Sequence, residues 1–360
     1  MTQIYNFGAG PSMLPQSVLL RAKEELLDWQ HCGVSVLEMS HRGKEFISIA
    51  EKTEQDLRQL LSIPSNYRVL FLPGGATSQF AMVPINLLRS HPSANYVCTG
   101  AWSKKAIKEA QKYCQVNIAA TSEAGGFRSI PATNEWKVDQ QAAYLHYTSN
   151  ETIGGVEFDK VPDVGDMLLV SDMSSNILSR PLDIARFGLI YAGAQKNMGP
   201  AGIAVVVVRE DLLGHSLPAM PTMYDLAAHA NSESMLNTPA TFNWYMVGLV
   251  LEWMLGCGGL EALSLRNERK ASKLYNYIDI SDFYTNPVDP AARSRMNVPF
   301  LLADKSLEAK FLQESAEQGL VALKGHRSVG GMRASIYNAM PDAGVVALIG
   351  FMADFERRYG

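Results

Sequence analysis

The chain has 360 residues, of which 47% are hydrophobic and 19% are charged. At about 150 residues per domain, this length predicts two domains, and the apolar share excludes a disordered chain. Lysine and arginine total 32 against 36 acidic residues, a net charge of -4. No global positive field therefore exists to attract nucleic acid or an anionic membrane, and any bound anion must be held locally.

The four cysteines are Cys32, Cys98, Cys114 and Cys257. They form no CxxC pair and have no histidine partner at metal-ligand spacing, which predicts reduced thiols, no metal site and a cytoplasmic protein. Residues 1–10 lack the basic and apolar stretches of a secretion signal. The longest apolar segment, 245–255, is interrupted by Glu252, so we expect neither export nor a membrane span.

Two amphipathic helices are predicted near the start of the chain. Pro15 is suited to begin the first, and a second follows from about residue 44. The first would bury one stripe made of Val18, Ala22, Leu26 and Trp29. The second would bury a stripe made of Phe46, Ile49, Thr53, Leu57 and Leu60. Both stripes indicate core packing rather than a binding site.

Seven short apolar runs bounded by turn residues come next. They lie at residues 68–72, 96–99, 116–120, 144–148, 167–171, 189–192 and 203–208. Most are separated by helix-compatible stretches, so they predict a mainly parallel sheet covered by helices on both faces. Ligands of such sheets bind beyond the carboxyl ends of the strands.

The composition of the sequence changes after an apolar helix predicted at 244–255. A long polar-faced helix at 261–277 follows, and a domain boundary is expected near residues 256–259. The remaining predicted elements are a strand at 298–302, a helix at 307–318 closed by Gly319, strands at 320–323 and 332–337, and a helix at 345–359. Together they predict a small α+β unit.

Two chemical groups follow neighbouring predicted strands. Asp172 ends the run at 167–171, and Lys196 lies 24 residues later, in a loop of small residues between two apolar strands. Asp172 alone is compatible with a helix cap, and Lys196 alone with a solvated loop. An amine hemmed by apolar strands, however, loses hydration and becomes nucleophilic.

A third feature is the glycine turn at 73–75, after which small hydroxyl residues open a helix. Free N–H groups at a helix start bind anions, although no Walker lysine follows. A Schiff-base lysine, a carboxylate for the pyridine nitrogen and a phosphate cradle are what pyridoxal phosphate requires. The sequence offers all three.

Aromatic and cationic residues complete the candidate site. Trp102 follows another strand end, where it would either stack on a planar ring or fill the core. The candidate cations are His41, Arg42, His326, Arg327 and Arg333. Arginines in turns and beside glycines suit bidentate capture of carboxylate and phosphate, although surface arginines are usually solvated.

Seven motifs in this order resemble those of the phosphoserine aminotransferase family, class V members of the fold-type I pyridoxal-phosphate enzymes. They are NFGAGP at 6–11, SHRG at 40–43, GGA at 74–76, NETIGG at 150–155, DMSS at 172–175, YAGAQKN at 191–197 and GGMRAS at 330–335. The resemblance covers essentially the whole chain. It implies an α/β fold-type I transferase, with a large domain on a mainly parallel seven-stranded sheet at 16–256. Residues 1–15 and 257–360 would form a smaller α+β domain.

The resemblance implies a role for each residue that would touch the cofactor ring. Lys196 would be the Schiff-base lysine, and Asp172 the partner of the ring nitrogen. Trp102 would stack on the ring, and Thr152 would hydrogen-bond its hydroxyl group.

The resemblance also implies a shared phosphate site. Ala76, Thr77 and Gln195 of one subunit would hold the cofactor phosphate, and Asn237 and Thr238 would reach it from the other. The protein would thus be a homodimer. Some family members carry arginine where this chain has Thr77, which would leave the distal substrate anion to other cations.

The implied reaction moves an amino group between glutamate and 3-phosphohydroxypyruvate, giving O-phosphoserine in serine biosynthesis. The matching 4-phosphohydroxythreonine reaction of pyridoxine biosynthesis is also implied. Arg333 would bind the substrate α-carboxylate. The distal carboxylate or phosphate would be bound by His41, Arg42, His326 and Arg327.

Other functions stay open at this point. An alanine-glyoxylate type aminotransferase would use the same cofactor, whereas a cysteine desulfurase would need a reactive cysteine motif that the chain lacks. A nicotinamide-dependent oxidoreductase is disfavoured because the glycines at 8–10 run into Pro11. A non-catalytic ligand-binding protein would leave Lys196, Asp172 and the arginines unexplained.

Overall fold

The structure, a computed structural model, describes residues 3–360. Its strands are β1 (Tyr5–Asn6), β2 (Tyr67–Gly74), β3 (Ser93–Cys98), β4 (Gln115–Thr121), β5 (Leu145–Thr148), β6 (Asn150–Glu151), β7 (Val156–Glu157), β8 (Leu169–Asp172), β9 (Leu189–Gly193), β10 (Gly202–Arg209), β11 (Tyr284–Thr285), β12 (Asn297–Leu302), β13 (Leu320–Val321) and β14 (Met332–Ser335). Its α-helices are α1 (Gln16–Glu24), α2 (Lys44–Leu61), α3 (Ala76–Leu87), α4 (Ala101–Ala110), α5 (Leu226–Asn231), α6 (Thr241–Gly256), α7 (Gly259–Ile280), α8 (Glu308–Glu317) and α9 (Asp342–Tyr359). Met1 and Thr2, which the predicted small domain includes, lie outside the described residues.

Seven strands form one central sheet in the order β2-β10-β9-β8-β5-β3-β4. Its strands run parallel except β10, which is antiparallel to both β2 and β9. All seven predicted apolar runs lie in this sheet, so the predicted mainly parallel, seven-stranded architecture is confirmed.

The central sheet separates two apolar cores. In β10, Val205 and Val207 belong to one core, and Val206 and Val208 to the other, because successive side chains point to opposite faces. Helices α1, α2 and α6 cover the first face, and α3 and α4 the second. Burial on both faces explains why these strands read as continuous apolar runs.

Helix α1 is shorter than predicted. It ends at Glu24, and the expected stripe through Leu26 and Trp29 is wrong. The backbone is extended at Asp28, so Trp29 reaches the core from a separate turn while Leu26 is 38% exposed. The second predicted stripe, on α2, is buried as expected.

Two C-terminal strands are also shorter than predicted. Strand β13 ends at Val321 because Ala322 adopts a φ of +63°, which breaks extended pairing. Strand β14 ends at Ser335, after which the N–H of Met340 closes a turn on the carbonyl oxygen of Tyr337 at 3.0 Å.

A second, antiparallel sheet of β11, β12 and β14 packs with α8, α9 and part of α7 around its own core. This is the predicted smaller α+β unit. Strand β1 joins it by pairing with β13, Tyr5 opposite Leu320. Within α7, Leu263 packs in the first core and Leu274 in the C-terminal core, so the chain passes between cores inside one helix. The domain limits at 16–256 and 257–360 stay a prediction.

Among residues 3–360, no single helix is long and apolar enough to span a membrane. Helices α6 and α7 reach that length and composition only when taken together, and they are bent by 83° at their junction.

A buried hydrogen-bond chain joins the central sheet region to the C-terminal unit. Asn297 is 0% exposed; its oxygen accepts from Asn150 Nδ2 at 2.9 Å, and its amide donates to Ser335 Oγ at 3.0 Å and Tyr337 Oη at 3.1 Å. The Tyr337 hydroxyl in turn donates to the carbonyl oxygen of Ala9 at 2.8 Å. One asparagine thus ties three parts of the chain together.

Asn297→Ala should therefore destabilise the protein by about 2 to 4 kcal/mol, because it leaves buried polar groups without partners. Urea unfolding measures this free energy. Asn276→Ala, an exposed change on α7, is the control and should stay within about 0.5 kcal/mol of the parent. Equal unfolding midpoints for both variants would contradict the structural role of Asn297.

Candidate active site

Several predicted site residues follow strands whose carboxyl ends meet at one edge of the central sheet. Thr148 at the end of β5 lies opposite Asp172, and Asp172 lies opposite Tyr191 of β9. Because β2 and β9 both flank β10 in antiparallel fashion, they point the same way, with Leu72 and Gly193 opposite Ala204. Parallel strands bring the loops beyond their carboxyl ends together.

Lys196 lies in the loop between β9 and β10 and is partly exposed. Its amine donates a hydrogen bond to Thr152 Oγ1 at 2.6 Å and lies 5.1 Å from the centre of the Trp102 ring. Burial lowers the pKa of Lys196 to about 8, although the charges of Asp172 and Glu151 raise it. A larger fraction of this amine is therefore unprotonated near neutral pH than in an ordinary lysine.

The N-terminal segment clamps the lysine loop. The N–H of Ser12 donates to the carbonyl oxygen of Gln195 at 2.9 Å, and the Ser12 hydroxyl donates to the carbonyl oxygen of Lys196. Gly10 has a φ of +148°, and a Cβ there would lie 3.3 Å from Lys196 Cγ. Only glycine allows both this backbone and this close approach.

Asp172 is 4% exposed at the end of β8. Its Oδ1 accepts from the backbone N–H of Ser174 at 2.9 Å and from the Ser174 hydroxyl at 2.6 Å. Burial raises the pKa of Asp172, whereas the Lys196 charge and the bonds from Ser174 oppose that rise. Within residues 3–360, Oδ2 accepts no hydrogen bond, so one oxygen stays available to a ligand.

The opposite end of the site is the start of α3. The backbone N–H groups of Ala76 and Thr77 donate to no acceptor among the described residues. The N-cap residue, Gly75, has no side chain that could accept from them. Gln195, which is also predicted to hold the phosphate, lies in the loop after β9, and its buried Oε1 accepts no hydrogen bond in the described chain. Free N–H groups at a helix start suit a phosphate.

Arg333 lies on β14 with a partly exposed side chain whose Nε is buried and unpartnered. The guanidinium makes one hydrogen bond in the described chain, from Nη1 to the carbonyl oxygen of Thr152 at 3.4 Å. No carboxylate in the described chain forms an ion pair with it, and burial lowers its pKa. A half-buried guanidinium without a carboxylate partner is suited to bind an anionic ligand.

Further cations surround Arg333. His326 and Arg327 are exposed, and His326 Nδ1 lies 2.7 Å from Ser328 Oγ. Burial lowers the pKa of His326, and the charges of Arg333, Arg327 and Lys105 lower it further. The charges of these three residues therefore act on one imidazole.

For four predicted site residues, no hydrogen bond in the described chain joins them to the groups around Lys196. Arg42, Asn237 and Thr238 are exposed and His41 is half-buried. None of them hydrogen-bonds the Lys196 amine, whose described partner is Thr152. Their place in the site stays a prediction.

The sequence reasoning assigned no role to three polar residues at this edge. Ser174 lies in the motif at 172–175 and orients Asp172. Lys105 lies three residues after Trp102 on one helix face, with its amine 4.2 Å from the ring centre, a spacing that could have indicated it. Glu151 lies in the motif at 150–155, but no local pattern reveals that it contacts α4.

The site fits pyridoxal phosphate. Trp102 Nε1, Gln195 Oε1 and Arg333 Nε are buried without hydrogen-bond partners in residues 3–360, although buried polar atoms are normally paired. They accompany an amine with a lowered pKa and a carboxylate with a free oxygen, the two groups that this cofactor requires for its covalent bond and its ring nitrogen.

The known proteins that are similar to this chain are aminotransferases. The family model described as aminotransferase class V matches residues 4–348. A phosphoserine aminotransferase of Hahella chejuensis is 58% identical over 354 residues, which is 98% of each chain. The solved phosphoserine aminotransferase of Bacillus circulans subsp. alkalophilus has a TM-score of 0.97 at 49% identity and covers 99% of both chains. That of Trichomonas vaginalis, with pyridoxal phosphate bound, has a TM-score of 0.94 at 40% identity, covering 98% of this chain and 100% of its own.

The lowered pKa of Lys196 can be measured in the ligand-free protein. Half-maximal reaction of Lys196 with an amine reagent, followed by mass spectrometry, should occur near pH 8. Asp172→Asn should move this midpoint lower, because it removes a negative charge that favours the protonated amine. Lys112, whose pKa is raised by its hydrogen bond to Glu109, is the internal control and should need a higher pH. Equal midpoints for Lys196 and Lys112 would refute the electrostatic account.

Proposed function

The chain belongs to the class V aminotransferase family, transaminases that use pyridoxal phosphate, and on that premise we propose that it is a phosphoserine aminotransferase. The reaction moves an amino group reversibly between glutamate and 3-phosphohydroxypyruvate, giving O-phospho-L-serine and 2-oxoglutarate. The observation that carries the proposal is the unpaired Arg333 guanidinium beside Thr152, which accepts a hydrogen bond from the Lys196 amine.

The residues that would hold the cofactor divide among its parts. Lys196 would bond to it covalently, Asp172 would hold the proton on its ring nitrogen, and Trp102 would stack on its ring. Thr152 would hydrogen-bond its ring hydroxyl. The phosphate would be held by Ala76, Thr77 and Gln195. When bound, pyridoxal phosphate supplies a conjugated ring that accepts the electron pair left on the substrate α-carbon.

Lys196 would move the proton of the reaction. Its amine, when not bonded to the cofactor, would take the proton from the substrate α-carbon and would later return one. A pKa of about 8 lies close to the operating pH, where an amine acts efficiently both as base and as acid. Thr152, whose hydroxyl oxygen accepts from Nζ at 2.6 Å, would orient the amine between these steps.

Arg333 and the neighbouring cations would select the substrate. Arg333 would bind the α-carboxylate common to both amino donors. The cluster of His326, Arg327 and Lys105 would bind the distal end, which is a phosphate in phosphoserine and a carboxylate in glutamate. Alanine has no distal anion, so this cluster favours phosphoserine over alanine as amino donor. The same reasoning extends the proposal to 4-phosphohydroxythreonine, which also ends in a phosphate.

The family resemblance implies that some members carry arginine where this chain has Thr77. Loss of one fixed cation removes charge-assisted hydrogen bonds worth about 1.5 to 3 kcal/mol each. In this chain the remaining cations, including Lys105, would carry that part of the binding.

A homodimer completes the proposal. Thr241 Oγ1 donates to the carbonyl oxygen of Val36 at 3.3 Å, so the segment before Arg42 and the segment after Thr238 lie on one surface. Large apolar side chains are exposed close by in sequence, including Val34 and Leu37, as expected of a protein interface. From this surface His41, Arg42, Asn237 and Thr238 would reach the site of a second copy.

A cytoplasmic location fits the four free cysteines.

Lys196→Ala should remove the visible absorbance of bound pyridoxal phosphate and lower turnover of phosphoserine with 2-oxoglutarate by about 10² to 10⁴ fold. Absorption spectra and a coupled assay measure the two effects. Lys44→Ala, which removes an exposed lysine, is the control. Transamination by the Lys196 variant at the parent rate would refute the proposed function.

Arg42→Ala should weaken phosphoserine and glutamate alike, by about tenfold or more in kcat/KM, because both distal ends are anionic. Lys44→Ala removes a nearby exposed cation and should leave both values unchanged. The alanine reaction, if measurable, should not respond to either change. Parent kinetics for Arg42→Ala with both donors would exclude Arg42 from the site.

A further inference from the structure

Glu151 is a fully buried carboxylate to which the mechanism above gives no role. It is 0% exposed and lies on β6, directly before Thr152. Its Oε2 accepts from the backbone N–H of Trp102 at 2.9 Å. Its Oε1 accepts from the backbone N–H of Ser103 at 2.8 Å and from the Ser103 hydroxyl at 2.7 Å. Both oxygens therefore face the first turn of α4.

Through this contact Glu151 caps the N-terminus of α4, although it is distant from that helix in sequence. The first N–H groups of a helix have no partners within the helix, and a side chain at the N-cap usually accepts from them. Gly100, the N-cap of α4, has no side chain. Glu151 instead supplies the acceptor oxygens, and its negative charge is favoured at a helix N-terminus.

The position of Gly100 is shaped by the same carboxylate. A Cβ at Gly100 would lie 2.5 Å from Glu151 Cδ, closer than any tolerated contact. Its φ of 168° is extended and open to any residue. The need for glycine therefore comes from the close approach of Glu151 and not from the backbone conformation.

Glu151 also connects the groups that surround the reactive amine. Through α4 it fixes the backbone of Trp102, whose ring centre lies 5.1 Å from Lys196 Nζ. Through the chain it adjoins Thr152, whose hydroxyl accepts from the same amine. Its charge, together with that of Asp172, also raises the pKa of Lys196.

We propose that Glu151 is a positioning residue, which sets the Trp102 indole and the Thr152 hydroxyl at a fixed separation around Lys196 so that the cofactor meets a preformed stacking face. Glu151 acts through these groups, because in the described chain its carboxylate oxygens accept only from α4. This inference rests on the proposed roles of Trp102 and Lys196.

The first test is Glu151→Gln, which keeps the size of the side chain but turns an NH₂ group toward a backbone N–H of α4. The cofactor-free protein is titrated with pyridoxal phosphate, and binding is followed by quenching of Trp102 fluorescence, assigned with Trp102→Phe. The dissociation constant should rise at least about fivefold. The pH midpoint for modification of Lys196 in the cofactor-free protein should fall, because a negative charge is lost.

Glu157→Gln is the matched control, since Glu157 is buried on β7, pairs with Asn150 of the same hairpin and does not contact α4. It should lower stability to urea without changing the dissociation constant or the Lys196 midpoint. If Glu151→Gln and Glu157→Gln lower stability equally and both leave the two readouts at parent values, Glu151 is merely structural and the proposal is overturned.

Gly100→Ala tests the same contact without altering charge. It should weaken pyridoxal phosphate binding in the parent protein, because the new Cβ displaces Glu151. In Glu151→Ala, which removes the opposing carboxylate, Gly100→Ala should add little. Independent, multiplying effects would overturn the proposal. If Lys196→Ala keeps full turnover, the proposed function fails; if it is inactive while the Glu151 and Gly100 variants bind normally, only this inference fails.

Discussion

The placement of a carboxylate and an amine beyond two adjacent parallel strands is the constraint on which the site depends. Strand β8 ends at Asp172, and the loop after β9 carries Lys196. Neither charge is stable alone in such surroundings, because burial disfavours ionised groups. The negative charge of Asp172 and the positive charge of Lys196 each stabilise the ionised form of the other. No direct ion pair joins them in residues 3–360. A ligand that spans both would therefore find a base at one end and an anion at the other.

The rest of the site follows from how charge is balanced around this pair. Arg333 lacks a carboxylate partner although its Nε is buried, and the charges of Arg327 and Lys105 act with that of Arg333 on His326 and lower its pKa. Glu151, a second buried carboxylate whose charge acts on Lys196, is satisfied by hydrogen bonds from the start of α4. The unpaired positive charge of Arg333 is therefore left to an anionic substrate.

Much of this could be predicted from sequence because the decisive signals are local. Apolar runs identify the strands of the sheet, and a polar residue directly after such a run, as with Asp172, lies at the ligand edge by geometry alone. The end of α1 could not be predicted, since Trp29 has the right helical spacing but reaches the core from a turn. The capping of α4 by Glu151 joins residues 49 apart in sequence, and such a contact exists only after both elements have packed. The proposed grouping of His41 and Arg42 with the site would require a second subunit.

Peptide mapping of the borohydride-reduced holoprotein tests the central claim most directly. Reduction makes the bond between cofactor and lysine permanent, and digestion with mass spectrometry then locates the added mass. The account predicts that this mass lies on Lys196 and that Asp172→Asn weakens its incorporation. Stoichiometric attachment to another lysine, such as Lys105 or the buried Lys270, would contradict it.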